Sequence, residues 1–209
     1  MATLQELVHG RPWNARIFYA YGLDPSSNQS LQQACQAQQV NQPELTRHLE
    51  QVWEGPQALQ RLTPGQLLDY IVHCHHRYLR RALPHLLAQA RVLTQNDSRY
   101  QSILNELWEL NNEANPHMFR EEMEVFPAIL DMQGDLARAP HLPRWIQRLE
   151  QEHSRALQHF LAFRRAMEVP EHNPEARRLM AGLADLDEDM RWHMYAENDL
   201  VFSSLRLLA

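Results

Sequence analysis

Two stretches of this chain place an acid, a histidine and a glutamate at four-residue intervals. In the first, Glu113, His117 and Glu121 are followed by Val125-Phe126; in the second, Asp189, His193 and Glu197 are followed by Val201-Phe202, and Met118 is echoed by Met194. Residues four apart share one face of a helix, so each stretch stacks carboxylate, imidazole and carboxylate in a column. The apolar positions Leu107, Leu110, Ala114, Val125 and Ala128 step by threes and fours through His117 and Glu121, which puts both on the stripe that faces a core. Leu186, Met190 and Leu200/Val201 do the same for His193 and Glu197. A carboxylate turned toward a core is costly unless a cation or a hydrogen-bonding network compensates it. A solvated face or a satisfied buried residue explains most isolated histidines. A duplicated column with an inward glutamate points instead to a metal.

Two further elements offer imidazoles. The run His73-Cys74-His75-His76 lies in a segment with apolar positions Leu68, Val72, Leu79, Leu83 and Leu86. Periodicity puts His75 nearest the apolar face and His76 one residue step further round, so one of the two is a candidate ligand and the others face solvent. A third segment carries His153 within the stripe Leu142, Ile146, Leu149, Leu157, Phe160. The candidate set is therefore His76 (or His75), His117, Glu121, His153, His193 and Glu197. Nitrogen and carboxylate donors without thiolates suit non-haem iron, manganese or zinc. Six such ligands exceed a tetrahedral zinc site and fit two irons, bridged by the glutamates and an oxo or hydroxo oxygen, with a position open to a small ligand. Glu113 and Asp189, one turn before the histidines, are placed to accept the imidazoles' other N–H. The order His-x3-Glu differs from the Glu-x-x-His of ferritin-like sites, and no His-Glu-x-x-His metalloprotease motif is present.

Positioning these residues calls for long helices. Thirty-one Leu against seventeen Val, Ile and Thr, with six Gly, predict an all-α protein. Four long helices follow Pro64, Asn96, Pro143 and Pro174, and their short connections imply an antiparallel four-helix bundle. Pro84 is expected to kink the first. Before them, Thr3, Ser30 and Asn41 can cap short helices, and Gly22 can end one. Breaks at Gly55-Pro56 and Thr63-Pro64-Gly65 divide the chain into a small helical N-terminal domain, 1–56, and a bundle, 57–209. A net charge of −6 without a basic run argues against nucleic acid or an anionic membrane surface as partner. The absence of a membrane-spanning run or signal peptide leads us to expect a cytoplasmic protein. Cys35 and Cys74 are read as ordinary reduced thiols.

The bundle resembles a hemerythrin-like domain, and nearly the whole chain resembles the iron-sulfur cluster repair di-iron proteins, the repair-of-iron-centres family linked to nitric oxide stress. The resemblance rests on His75-His76-Arg77-Tyr78-Leu79-Arg80 with Leu83-Pro84, on His117 through Glu122 with Phe126-Pro127, on Glu152-His153, and on His193 through Glu197-Asn198 with Val201-Phe202. It selects His76 over His75, because in that family the first ligand stands seven residues before the Leu-Pro. It implies two non-haem irons, nitric oxide or dioxygen as small ligand, and damaged iron-sulfur proteins as partners. Storage or scavenging of nitric oxide, and its reduction to nitrous oxide, are alternatives that use the same six residues. Leu157 stands where oxygen-carrying hemerythrins have a further histidine, which disfavours oxygen transport. The chain also has Ser26-Ser27 after Asp24-Pro25 where relatives typically carry a cysteine pair. Serine is a poor substitute for thiolate, so thiol-dependent chemistry in the N-terminal domain is not expected.

Overall fold

A computed structural model describes residues 2–52, 54–167 and 172–206. Its long elements are all helical, and an isolated antiparallel bridge joins Thr3 to Ser30. Contacts group the chain into two compact units, Met1–Arg81 and Ala82–Ala209.

The first unit contains α1 (Leu4–Gly10), α2 (Asn14–Ala20), α3 (Leu31–Gln38), α4 (Gln42–Gln51), a 3-10 turn at Pro56–Arg61 and the first part of α5, which runs over 64–96. Local sequence fixes the starts. Thr3 with Glu6, Ser30 with Gln33 and Thr63 with Gln66 form reciprocal capping boxes, and the Asn41 side chain accepts from the Glu44 N–H. Each such cap contributes about 1 kcal/mol. The chain leaves α2 through Gly22 at φ 75°, where a Cβ would meet the Arg81 guanidinium at 2.8 Å. Arg81 in turn donates from Nε to the Ala20 carbonyl at 3.2 Å. In the following loop the Ser26 N–H and O–H both donate to Asp24 Oδ1, at 2.9 and 2.7 Å, and the Ser27 hydroxyl accepts from the Gln29 N–H at 3.1 Å. These two serines thus organise the turn. Cys35 and Cys74 are buried without a disulfide.

The second unit contains the remainder of α5, then α6 (101–131), α7 (Leu142–Met167) and α8 (174–206). On α6 and α7, Glu106 meets His159 while His117 meets Glu152; on α7 and α8, His153 meets Asn198 while Arg164 meets Asp187. Partner numbers fall on one helix as they rise on the other, so both pairs are antiparallel. Leu107, Phe160, Phe163, Leu179, Leu183 and Leu186 are wholly shielded from solvent. Phe160 and Phe163 meet edge to face at 5.6 Å, and truncating either removes about 3–5 kcal/mol. Gly182 lets α8 approach α5 closely, since a Cβ there would lie 2.5 Å from Leu86 Cδ2.

Three of these helices contain a π-helical turn: Ile71–His76 in α5, Glu121–Val125 in α6 and Tyr195–Phe202 in α8. Such a turn holds one residue more than an α turn and shifts the facing of everything beyond it by about 100°. In α6 the cause is local. Pro127 has no N–H for the Met123 carbonyl and its ring crowds that oxygen, which a wider turn accommodates. Nothing in the sequence accounts for the other two. Residues 77–96 stay α-helical through Pro84, and the irregular turn of α5 lies upstream of it. Correspondingly Ile71 is fully buried while Val72 is only half-buried. Leu157, expected in the core stripe of α7, is 39% exposed. No described helix is long and apolar enough to cross a membrane.

Candidate metal centre

The two columns and His153 meet inside the second unit. The His117 and His153 Nε2 atoms lie 2.9 Å apart. His117 Nε2 is 3.3 Å from Glu121 Oε1 and His153 Nε2 is 3.1 Å from Glu197 Oε2. The other oxygen of Glu197, Oε1, is 2.8 Å from His193 Nε2. Glu197 therefore divides its two oxygens between two histidines. Both glutamates are fully shielded from solvent, and the His117 side chain is 11% exposed. His117, Glu121, His153 and Glu197 each offer a ligand atom within 4.8 Å of the others. Donors held about 2 Å from a common ion stand roughly 3 Å from each other, so these spacings fit a metal shared by imidazole and carboxylate.

Outer contacts orient the rings. His117 Nδ1 lies 2.9 Å from Glu152 Oε2, and Glu152 also accepts from Arg120 and Arg148 at 2.7 and 3.0 Å. His153 Nδ1 donates to Asn198 Oδ1 at 2.9 Å, which leaves Nε2 as the coordinating nitrogen. The expected partner of His117 was Glu113, and this is corrected: Glu113 sits 3.6 Å from His159 and its side chain is 46% exposed. Glu152 could not be found from spacing along α6, because it comes from the neighbouring helix. Asp189 is buried on α8. His159, passed over in the sequence, is a buried histidine paired with Glu106 at 2.6 Å.

His76 belongs to the first unit, where it closes the π-helical turn of α5 and is fully shielded; His75 beside it is also buried, edge-on to the Tyr70 ring at 5.5 Å. His73 is half-buried and bonds the Asp69 carbonyl at 2.9 Å. The expectation that the unused histidines of this run face solvent is therefore corrected.

The profile described as Hemerythrin HHE cation binding domain matches residues 67–205. The chain belongs to the hemerythrin HHE family. All the candidate ligands fall within the matched segment. The chain is also similar over nearly its whole length to iron-sulfur cluster repair proteins named YtfE: 27% identical to that of Escherichia coli O157:H7 over 218 aligned positions, which cover 95% of this chain and 94% of the relative. The YtfE proteins of Enterobacter sp. (strain 638) and Citrobacter koseri are 27% and 26% identical, with the same coverage.

Electrostatics in this HHE site couple cation binding to protons. Burial disfavours charge on His117, but Glu121, with Glu152 and Glu197, outweighs it and pushes the imidazole up to about 10. Burial likewise disfavours the Glu152 anion and is outweighed by His117 and Arg148, which hold it down at about 2. Without a metal, protonated His117 therefore stabilises the fold fully below its ordinary value near 6.5, and that contribution fades as pH rises through about 10. A metal must displace that proton. Metal affinity is expected to rise with pH through neutrality, by up to about tenfold per unit for each proton displaced. Competition against a chelator of known affinity at several pH values measures the slope; a flat profile would contradict a protonated His117 in the metal-free protein.

Proposed function

We propose that this chain is a cytoplasmic non-haem di-iron protein that binds nitric oxide at its metal centre and supports repair of damaged iron-sulfur clusters. The observation that carries this reading is Glu197, whose two oxygens face the nitrogens of two different histidines, as expected of a carboxylate shared between two ions. The ligands we assign are His76, His117, Glu121, His153, His193 and Glu197. His76 is assigned on its complete burial and its seven-residue spacing to Leu83-Pro84. Two ferrous ions bound there would supply redox-active positions open to a small diatomic ligand. The chain's own residues hold those positions in a dry interior. Glu152 and Asn198 fix ring orientation, and Glu121 and Glu197 compensate the ions' charge. The repair role is supported by the YtfE relatives, whose names carry it. We take residues 57–209 as the functional bundle, although the compact units part within α5, after Arg81.

A second reading, nitric oxide binding without efficient repair, is favoured by the loop at Ser26-Ser27. Its hydroxyls are engaged with Asp24 and the Gln29 N–H, and they offer no soft or redox-active group for moving iron or electrons out of the bundle. The two readings separate in one experiment on the full chain. Spectroscopic titration of the ferrous protein with nitric oxide is run beside recovery of a nitric-oxide-damaged iron-sulfur enzyme, for the wild type and for Ser26→Cys with Ser27→Cys. We expect gas binding in both proteins and faster recovery in the double variant. Recovery equal to that of cysteine-bearing relatives and unchanged by the substitutions would remove the second reading. Absence of any nitric oxide spectrum would remove both, since each rests on binding of the gas.

A further inference from the structure

Tyr21, Glu44, His48, Asp69 and His73 lie together in the first unit and form a chain of short polar contacts that the HHE site does not use. His48 is fully buried. Its Nδ1 is 2.6 Å from the Tyr21 hydroxyl, and Tyr21 donates its single proton to Glu44 Oε1 at 2.7 Å. Glu44 is an anion: burial opposes ionisation, but the bond from Tyr21 and the charge of Arg77 outweigh it and hold the carboxyl below its ordinary range. A hydroxyl whose proton goes to a carboxylate can only accept from His48, so His48 Nδ1 carries a hydrogen. In the neutral ring Nε2 then presents a lone pair. That lone pair faces Asp69 Oδ2 at 2.8 Å. Asp69, which accepts from Arg47 at 2.7 Å, is also an anion.

An acceptor thus faces an acceptor, and a cation between them removes the conflict. A proton would do so by making imidazolium. Burial works against that occupant, since His48 is fully shielded from solvent. A metal ion is the other solution, and a third donor is in place. His73, one turn beyond Asp69 on α5, donates from Nδ1 to the Asp69 carbonyl at 2.9 Å, which leaves a lone pair on its Nε2. Its ring stacks on His48 with centroids 5.5 Å apart. One ligand atom from each of His48, Asp69 and His73 lies within 4.8 Å of the others. The Asp69 and His73 side chains are 28% and 24% exposed, so an ion can arrive from solvent. Two cationic side chains stand nearby. Arg77 is engaged with Glu44 at 3.2 Å and lies over the Tyr21 ring. Arg47 bonds Asp69 Oδ2 at 2.7 Å and is the competitor for the site, but its side chain is 47% exposed and an ion pair so placed holds little energy.

We propose that His48, Asp69 and His73 form a second metal site, in the N-terminal unit and separate from the HHE cluster, that takes one divalent first-row ion of the ferrous or zinc type. Two imidazoles and one carboxylate with open positions are the donor set such ions prefer. Tyr21 and Glu44 act behind His48, fixing the tautomer that presents Nε2.

The test is a Co²⁺ titration of the full-length protein as purified, read by equilibrium dialysis and visible absorption. Asp69→Asn keeps the shape of the side chain, and its amide N–H can donate to His48 Nε2, so the fold survives while the anionic ligand is lost. His73→Ala, at a half-buried position, is the second variant. We expect each variant to bind one Co²⁺ fewer than wild type, or that ion at least about tenfold more weakly, with the iron content of the bundle unchanged. Equal Co²⁺ binding by wild type and both variants, or no Co²⁺ bound by the wild type, would overturn the site. Loss of bundle iron together with cobalt in both variants would count against its being separate.

Discussion

Replacing Glu121 or Glu197 with alanine is expected to strip iron from the protein and lower its melting temperature, whereas Glu122→Ala does neither. Glu121 and Glu197 are fully shielded, with their oxygens turned to His117, His153 and His193. Glu122 is half-buried and lies outside the cluster. Removing either inner carboxylate leaves imidazoles gathered around a charge they alone cannot neutralise, so the ions are lost. The stability change follows from linkage. Free metal at a hundred times its dissociation constant stabilises the native state by about 2.7 kcal/mol, and a variant that cannot bind loses that increment. Stripped of metal, a smaller loss is expected to remain, because Glu121 and Glu197 are then the partners that hold His117 protonated. Iron analysis with paired melts in the presence and absence of chelator reads both effects. About two irons per wild-type chain are expected, since one ion would leave an inward glutamate uncompensated; one zinc and no iron would sink the di-iron assignment.

The second large effect concerns α5. His76→Ala is expected to disturb the iron absorption spectrum far more than His75→Ala or His73→Ala. Burial alone does not choose between His75 and His76, since both are buried. The π-helical turn supplies the physical reason to prefer His76: straight α periodicity miscounts across Ile71–His76 by one residue. Spectra of the three iron-loaded variants decide the matter. An intact spectrum for His76→Ala with loss for His75→Ala would show that the simple helical count was the better guide.

The parts of the fold that sequence revealed are those set by neighbours along the chain. Thr3, Ser30 and Asn41 act through residues three positions away, and His117, Glu121, His193 and Glu197 declare themselves by four-residue spacing. What was hidden depends on other helices. Glu152 reaches His117 across the α6–α7 contact, so spacing pointed to Glu113 instead. His48 and Asp69 come from different helices of the first unit, and no interval in sequence links them. Val72 and Leu157 were misplaced because an amphipathic pattern assumes a uniform turn and a uniformly covered face, and α5 and α7 depart from one assumption each.

The wide turns in α5, α6 and α8 also bear on how such chains can diverge. Loops gain and lose residues freely, but a helix interior ordinarily does not, because one deletion swings every later side chain to a new azimuth. Here three of the four helices that carry the ligands we assign already hold one such extra residue, absorbed within a single turn beside the glutamate or histidine it presents; α7, with His153, is regular throughout. Deleting one residue between Tyr195 and Phe202 would restore regular winding and turn Val201 and Phe202, both now buried, away from the interior. Aligned relatives should therefore hold the length of these segments more tightly than their composition, with gaps gathering in connections such as 132–141.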